Sequence, residues 1–401
     1  MSKRKAFSVK RYLSRKNLLS LLSGFVILMV TWVYQNYSFS FFVEDSFFRK
    51  FSFWKYKIFS SKPEKKVDFV FINTSKDVAI VDDTTEYGSV AVSDREKIYE
   101  LIRVINAAKK KPLYTVLDIQ FYFPYSVNRH VDTLLQDELN KNDRIVIPIV
   151  KDAGGNYKKP LYNALYGYSD YLTYGFGFNK FRIIDDDNVQ SVPVILNERL
   201  DHAVYKNHTF YTTCNGHMCF KALWPSYYLI DNAVKENKTS FTQSYNLGEV
   251  LIDLQTTPSD YSKIFENKIV IIGNFGQDVH FTPVGQMSGS VLLANIYLSV
   301  LNKQQLISYI FLFILLIAFS ALSYLAWFSK VPEIKFKFRF IFSPDIIKFI
   351  QGYLSYFGSM FVLSLLAILI FNMHVALFLP SFIFAGIEYF RQKKYLPPKQ
   401  V

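Results

Sequence analysis

A chain of 401 residues with half its composition hydrophobic can bury more than one sizeable core. Its formal charge of +13 at pH 7 would suit a nucleic-acid binder only if the basic residues lined a groove with stacking aromatics, and they do not. They cluster in residues 1–17 (seven Lys/Arg, no acid), 329–350 (net +3) and 391–401 (net +4), each beside an apolar run, so the surplus points to the lipid bilayer and excludes nucleic acid as a partner.

Residues 18–34 (LLSLLSGFVILMVTWVY) read as a first transmembrane helix behind a basic start at 1–17. A cleaved signal peptide would need a small-x-small site after it, whereas Gln35, Asn36, Tyr37, Ser38 and Phe39 follow. After a polar linker at 61–66, strands and helices alternate. Residues 67–73 (VDFVFIN) read as a strand, and 93–110 as an amphipathic helix. Ser93 and Glu96 fit a capping box there, with Ile98, Leu101, Ile102 and Ile105 on one face. Residues 114–121 read as a strand, 131–140 as a shorter helix and 144–150 as a third strand. This spacing predicts an α/β fold: a mostly parallel sheet with flanking helices and right-handed crossovers.

Farther on, 181–185 and 189–196 flank Asp186, Asp187 and Asn188 and read as a hairpin. Residues 224–237 suit a helix, and 240–253 a looser strand–turn region. The β-branched run 268–273 (KIVIIG) has the pattern of a strand covered on both faces and is expected to join the sheet. A Gly/Asp/Pro loop at 274–289 and an apolar helix at 291–301 lead to 306–328, which is 23 residues without a charge and long enough to span a bilayer. Residues 353–371 and 375–390 read as two more spans, giving four transmembrane helices, one before and three after the domain at 35–305. Positive-inside bookkeeping puts 1–17, the loop 329–352 and the tail 391–401 in the cytoplasm and 35–305 outside it.

Ligands of open parallel sheets bind at the carboxyl ends of the strands. That singles out Asn73 after the first strand, Asp118 and Gln120 in the second, and Asp278 and Thr282 after the last. Asp118 is the most informative, because a carboxylate inside an apolar strand needs a donor or shifts its pKa. The competing reading is that these residues only cap turns and helices. Asp185, Asp186, Asp187 and Asn188 lack the ligand spacing, central Gly and terminal Glu of a calcium loop and read as a solvated turn. Cys214, His217 and Cys219 lack a fourth zinc ligand. Outside the cytoplasm Cys214 and Cys219 read as a local disulfide, with free thiols as the alternative. No nucleophile elbow, Walker loop, GxGxxG or HExxH is present, so no metal, cofactor or catalytic residue is expected and the chain reads as not an enzyme.

The order Gly273, Asp278, Thr282, Pro283, Val284, Gly285, Gly289, Ala294, Asn295 resembles the closing signature of the second class of CHASE domains. These are extracytoplasmic sensory domains of bacterial membrane receptors. Residues 44–49 (EDSFFR) are similar to the element after that family's first anchor, and 93–96 (SDRE) with 117–121 (LDIQF) to its helix start and Asp-bearing strand. Residues 175–178 (GFGF) through 185–188 (DDDN) to 192–194 (VPV) resemble its mid-domain hairpin, with Asn188 where Gly is more usual. The resemblance implies a sensor over about residues 40–302, placed in a bacterial inner membrane, and carries over no catalytic residues. Family members often continue into a kinase or cyclase domain, whereas only 391–401 follow the last span here, so a signal is expected to pass to a separate signalling protein. The expected ligand is a small molecule or an envelope component. An envelope docking or assembly factor is the second reading and a divergent periplasmic enzyme the third.

Overall fold

The protein's structure, a computed structural model, describes residues 15–36, 63–83, 88–152, 154–158, 160–169, 171–174, 177–185, 187–209, 211–256, 263–329, 343–371 and 373–395, with Glu44, Phe47, Lys50, Phe51, Phe53 and Trp54 between the first two stretches. Residues 1–14, 330–342 and 396–401 of the basic blocks lie outside the described residues, as do Gly175, Phe176, Asp186 and most of 44–49. The chain divides into two compact units, residues 1–48 with 307–401, and residues 49–306.

In the larger unit six parallel strands form one sheet. They are β1 (Phe69–Asn73), β4 (Tyr114–Asp118), β5 (Ile145–Ile149), β6 (Leu165–Tyr168), β13 (Thr242–Asn246) and β14 (Ile269–Gly273), ordered β13-β1-β14-β4-β5-β6. The parallel sheet expected from the alternating pattern is therefore present. Along β1 and β14 successive side chains go to opposite faces. Phe69, Phe71, Ile269 and Ile271 join one core with α4 (Val192–Asp201) and α7 (Gly289–Leu301). Val70, Ile72, Val270 and Ile272 join the other with α2 (Arg95–Ala107), α3 (Arg129–Asn140) and α6 (Leu247–Thr256). Each fully buried aliphatic side chain contributes roughly 1.5–3 kcal/mol, which is why an unbroken β-branched run is stable only between two layers.

Four local expectations are corrected. The cap of α2 is Asp94, which accepts from the N–H groups of Glu96 and Lys97, while Ser93 ends β3 (Gly88–Ser93) beside Thr74. Residues 189–196 form no strand: α4 starts at Val192 with Pro193 in its first turn, where a missing N–H costs nothing. Only Asp231–Lys235 (α5) of the expected 224–237 helix is helical. Pro225 interrupts the run, and side chains of α7 hold the backbone before α5. Last, β13 is followed by helix α6 where a looser region was expected.

The smaller unit holds α1 (Arg15–Asn36), α8 (Tyr309–Phe328), α9 (Pro344–Phe371) and α10 (Phe378–Tyr395). Three of them, α1, α8 and α9, are long and apolar enough to cross a membrane, not four. The run expected at 375–390 does not begin its helix until Phe378, and α10 then continues through Glu388, Arg391 and Lys393. Its uncharged stretch is too short to span. α1 and α8 approach closely at Gly24, where an added Cβ would meet the Ser320 backbone at 2.7 Å.

Helix α7 is buried along its whole length. Two of its polar side chains complete the backbone hydrogen bonds of the extended segment before α5. Asn295 Oδ1 accepts from Tyr228 N (2.7 Å) and Leu229 N (2.8 Å), and its Nδ2 donates to Leu229 O (2.9 Å). Ser299 Oγ accepts from Ser226 N at 2.9 Å. Replacing Asn295 with Ala orphans buried groups at about 1–3 kcal/mol each, so the melting temperature should fall by roughly 5 °C or more. Thermal unfolding checks this, and an unchanged transition would show that the clamp contributes nothing.

Candidate functional site

The middle of the sheet's carboxyl edge is a row set by register: Asn73 of β1 lies opposite Gly273 of β14, which lies opposite Asp118 of β4. Asn73 Oδ1 accepts from Ser75 N (3.0 Å) and Phe275 N (3.2 Å), joining the loops after β1 and β14. Asn274 folds its own turn, its Oδ1 accepting from Gly276 N and Gln277 N at 3.0 Å each. The hairpin of β15 (Val279–Thr282) and β16 (Gly285–Ser288) then returns the chain to the start of α7.

That return places two carboxylates at the first turn of α7. Ser290 Oγ donates to Asp118 Oδ2 at 2.7 Å. The contact depends on Gly273, since a Cβ there would lie 2.2 Å from Ser290 Oγ. Asp278 occupies the space that a side chain on Gly289 would need, 1.9 Å from an added Cβ, and Gly289 N donates to Asp278 O at 2.8 Å. His280 Nε2 lies 2.9 Å from Asp278 Oδ1. The N-terminal end of a helix attracts anionic groups, which gives both acids a reason to be there.

Some of Asp118 stays solvent-accessible, but its carboxyl is enclosed. Burial pushes it up to about 7; the charge of Asp278 adds to this, while the Ser290 hydroxyl and His280 oppose it. Near neutral pH the site therefore holds an exchangeable proton beside a second acid and an imidazole. It could bind or release a proton, or accept a hydrogen-bonding or cationic ligand.

Asn73, Asp118 and Asp278 are thus brought together at one rim, whereas two other expected residues lie elsewhere. Gln120 is exposed, two residues beyond the end of β4. Thr282 is buried at the β15–β16 turn, where its Oγ1 donates to Gly285 O at 2.7 Å and fastens the hairpin. Ser290 and His280 were missed. Ser290 directly after Gly289 at the head of an apolar run is a helix-start signal that could have found the first.

Away from the rim, Lys151 Nζ lies 2.7 Å from both Asp185 and Asp187, so those acids are paired within the protein. Cys214 and Cys219 sit on β10 (Thr212–Cys214) and β11 (His217–Cys219) as buried free thiols, and the expected bridge is not formed. In the register Cys214 faces His217 and Cys219 faces Thr212, so the two cysteines are diagonal neighbours and not a directly opposed pair. Burial is the first cause raising both thiols above their ordinary pKa. Among the described residues no group of three or more His, Cys, Asp or Glu is arranged to hold a metal ion.

The model of the CHASE2 domain matches residues 24–327. The chain belongs to the CHASE2 family. No curated protein and no solved structure matches it. The closing signature can now be read physically in this CHASE2 domain. Gly273 and Gly289 clear space for Ser290 and Asp278, Thr282 and Gly285 close the hairpin, and Asn295 clamps α7.

Two predictions follow from this geometry. Gly273→Ala forces a methyl against Ser290 and should destabilise the fold by about 1–3 kcal/mol, with part recovered on adding Ser290→Ala. Additive losses in chemical denaturation would separate the two positions. The second concerns pH. A carboxyl raised in the folded state from 3.8 to about 7 favours folding at low pH, and that contribution is lost as pH rises through this interval. The difference in stability between the native chain and Asp118→Asn should therefore change over that interval in favour of the variant. A difference independent of pH would place the Asp118 carboxyl near its ordinary value.

Proposed function

We propose that this CHASE2 protein is a sensor of the bacterial inner membrane whose larger unit lies outside the cytoplasm and binds its ligand at the rim formed by Asn73, Asp118 and Asp278. The ligand is a small molecule or an envelope component carrying donors or positive charge, and the rim is assigned no reaction. The basic blocks, all next to apolar runs, support the orientation. The observation that carries the reading is the seat of α7. Its first turn is held by the two rim acids, its length is buried, and residues 302–306 alone separate it in sequence from the second unit.

A ligand that withdraws Asp118 from Ser290, or Asp278 from the first turn, changes the most buried helix of the domain. Its effect is limited to its differential affinity for the two arrangements. We infer that a separate signalling protein reads the change through the membrane helices.

The test is a thermal-shift screen of the full chain in detergent against metabolites, cations and envelope fragments. A specific binder raises the melting temperature by mass action, about 2.7 kcal/mol at a hundredfold excess over Kd. The shift should vanish in Asp118→Asn and Asp278→Asn while both variants stay folded. Shifts unaffected by either substitution would move the ligand away from this rim.

A docking or assembly role is favoured by one other observation. Val78 (45% exposed), Ile80 (69%) and Val127 (60%) present apolar side chains around the hairpin of β2 (Val78–Asp83) and β3.

A further inference from the structure

In the smaller unit α10 carries a stripe of Phe382, Ile383, Gly386, Ile387, Phe390 and Arg391, and Trp327 near the end of α8 forms the opposite wall. Together they enclose an open groove of about 500 Å³. Its floor is Gly386, where an added Cβ would meet nothing within 4 Å. From Phe382 to Arg391 the groove follows α10 for roughly 14 Å, at about 1.5 Å per residue. Its walls are apolar along most of that length and polar at one end. There Arg391 stands 3.7 Å from Glu388, beyond a direct hydrogen bond, so guanidinium donors remain for another acceptor. Exposed Lys393 follows Arg391 two residues on in sequence.

The geometry points to a specific binding site for an anionic phospholipid, with one acyl chain along the groove and the phosphate at Arg391. Ordinary bilayer lipid would fill an apolar groove without preference. What distinguishes this site is the Arg391 guanidinium at the end of the apolar walls, beyond direct hydrogen-bond distance of Glu388 and therefore with donors for a phosphate ester. The inference rests on the helices being membrane-embedded and is independent of the rim at Asp118.

The experiment is native mass spectrometry of the full chain in detergent, titrated with phosphatidylglycerol and with phosphatidylcholine of the same acyl chains. The expected result is one retained phosphatidylglycerol, bound more tightly than phosphatidylcholine. Arg391→Gln should weaken phosphatidylglycerol by about fivefold, the factor for one basic group at an anionic surface, and remove the preference, while Arg391→Lys keeps it. Gly386→Leu fills the groove from open space, so it should reduce both lipids without lowering the melting temperature measured in detergent alone. Equal retention of the two lipids by the native chain would overturn the proposal, leaving annular lipid only. So would phosphatidylglycerol binding that survives both Arg391→Gln and Gly386→Leu. Disulfide trapping of two copies through Phe382→Cys, with no lipid retained by the native chain, would reassign the groove as a contact between copies.

Discussion

The sheet's centre is held by the strand that comes last in the sequence. β14 pairs with β1 on one side and β4 on the other, so the sheet has no continuous core until residues 269–273 arrive. Everything at the carboxyl edge depends on this insertion. It sets Asn73, Gly273 and Asp118 in one row, and because the middle member has no side chain, the first turn of α7 can reach across to Asp118. A contact between residues so far apart along the chain also implies slow loop closure before the domain gains its stability.

The same constraint creates the chemical character of the rim. Asp118 is buried by the layer that β14 and α7 complete, and burial disfavours its charge. Asp278, fixed against Gly289, adds repulsion, while the Ser290 hydroxyl and His280 favour ionisation. The balance of these effects is a carboxyl raised from its ordinary value to about 7, with burial as the largest cause. A purely structural cap would be expected to keep its acids ionised, because an anion serves a helix terminus better than a neutral acid.

In the smaller unit, glycine acts twice in opposite ways. Gly24 lets α1 approach the α8 backbone, whereas Gly386 leaves a hollow that no side chain of the described residues fills. In a bilayer, close packing and hydrogen bonds hold helices together, and lipid covers what they leave open. The hollow ends at Arg391.

How much of this was legible in the residues depends on how local each signal is. The alternation in 67–73, the helical face of Ile98, Leu101, Ile102 and Ile105, and the β-branched run at 268–273 disclosed an α/β sheet covered on both faces, because periodicity records burial within a few residues. The acids Asp118 and Asp278 were conspicuous for their place at strand ends, and the family signature for its order. What tertiary structure alone decided involves partners distant in sequence. Ser290 meets Asp118 across 172 residues, and Asn295 meets Leu229 across 66 and removes that segment from a helix. Register leaves Cys214 and Cys219 diagonal, and the late start of α10 puts charges where a fourth span was expected. Composition and spacing fix which residues must be covered; only packing fixes what covers them, since hydrophobic burial is non-directional and hydrogen-bond geometry is not.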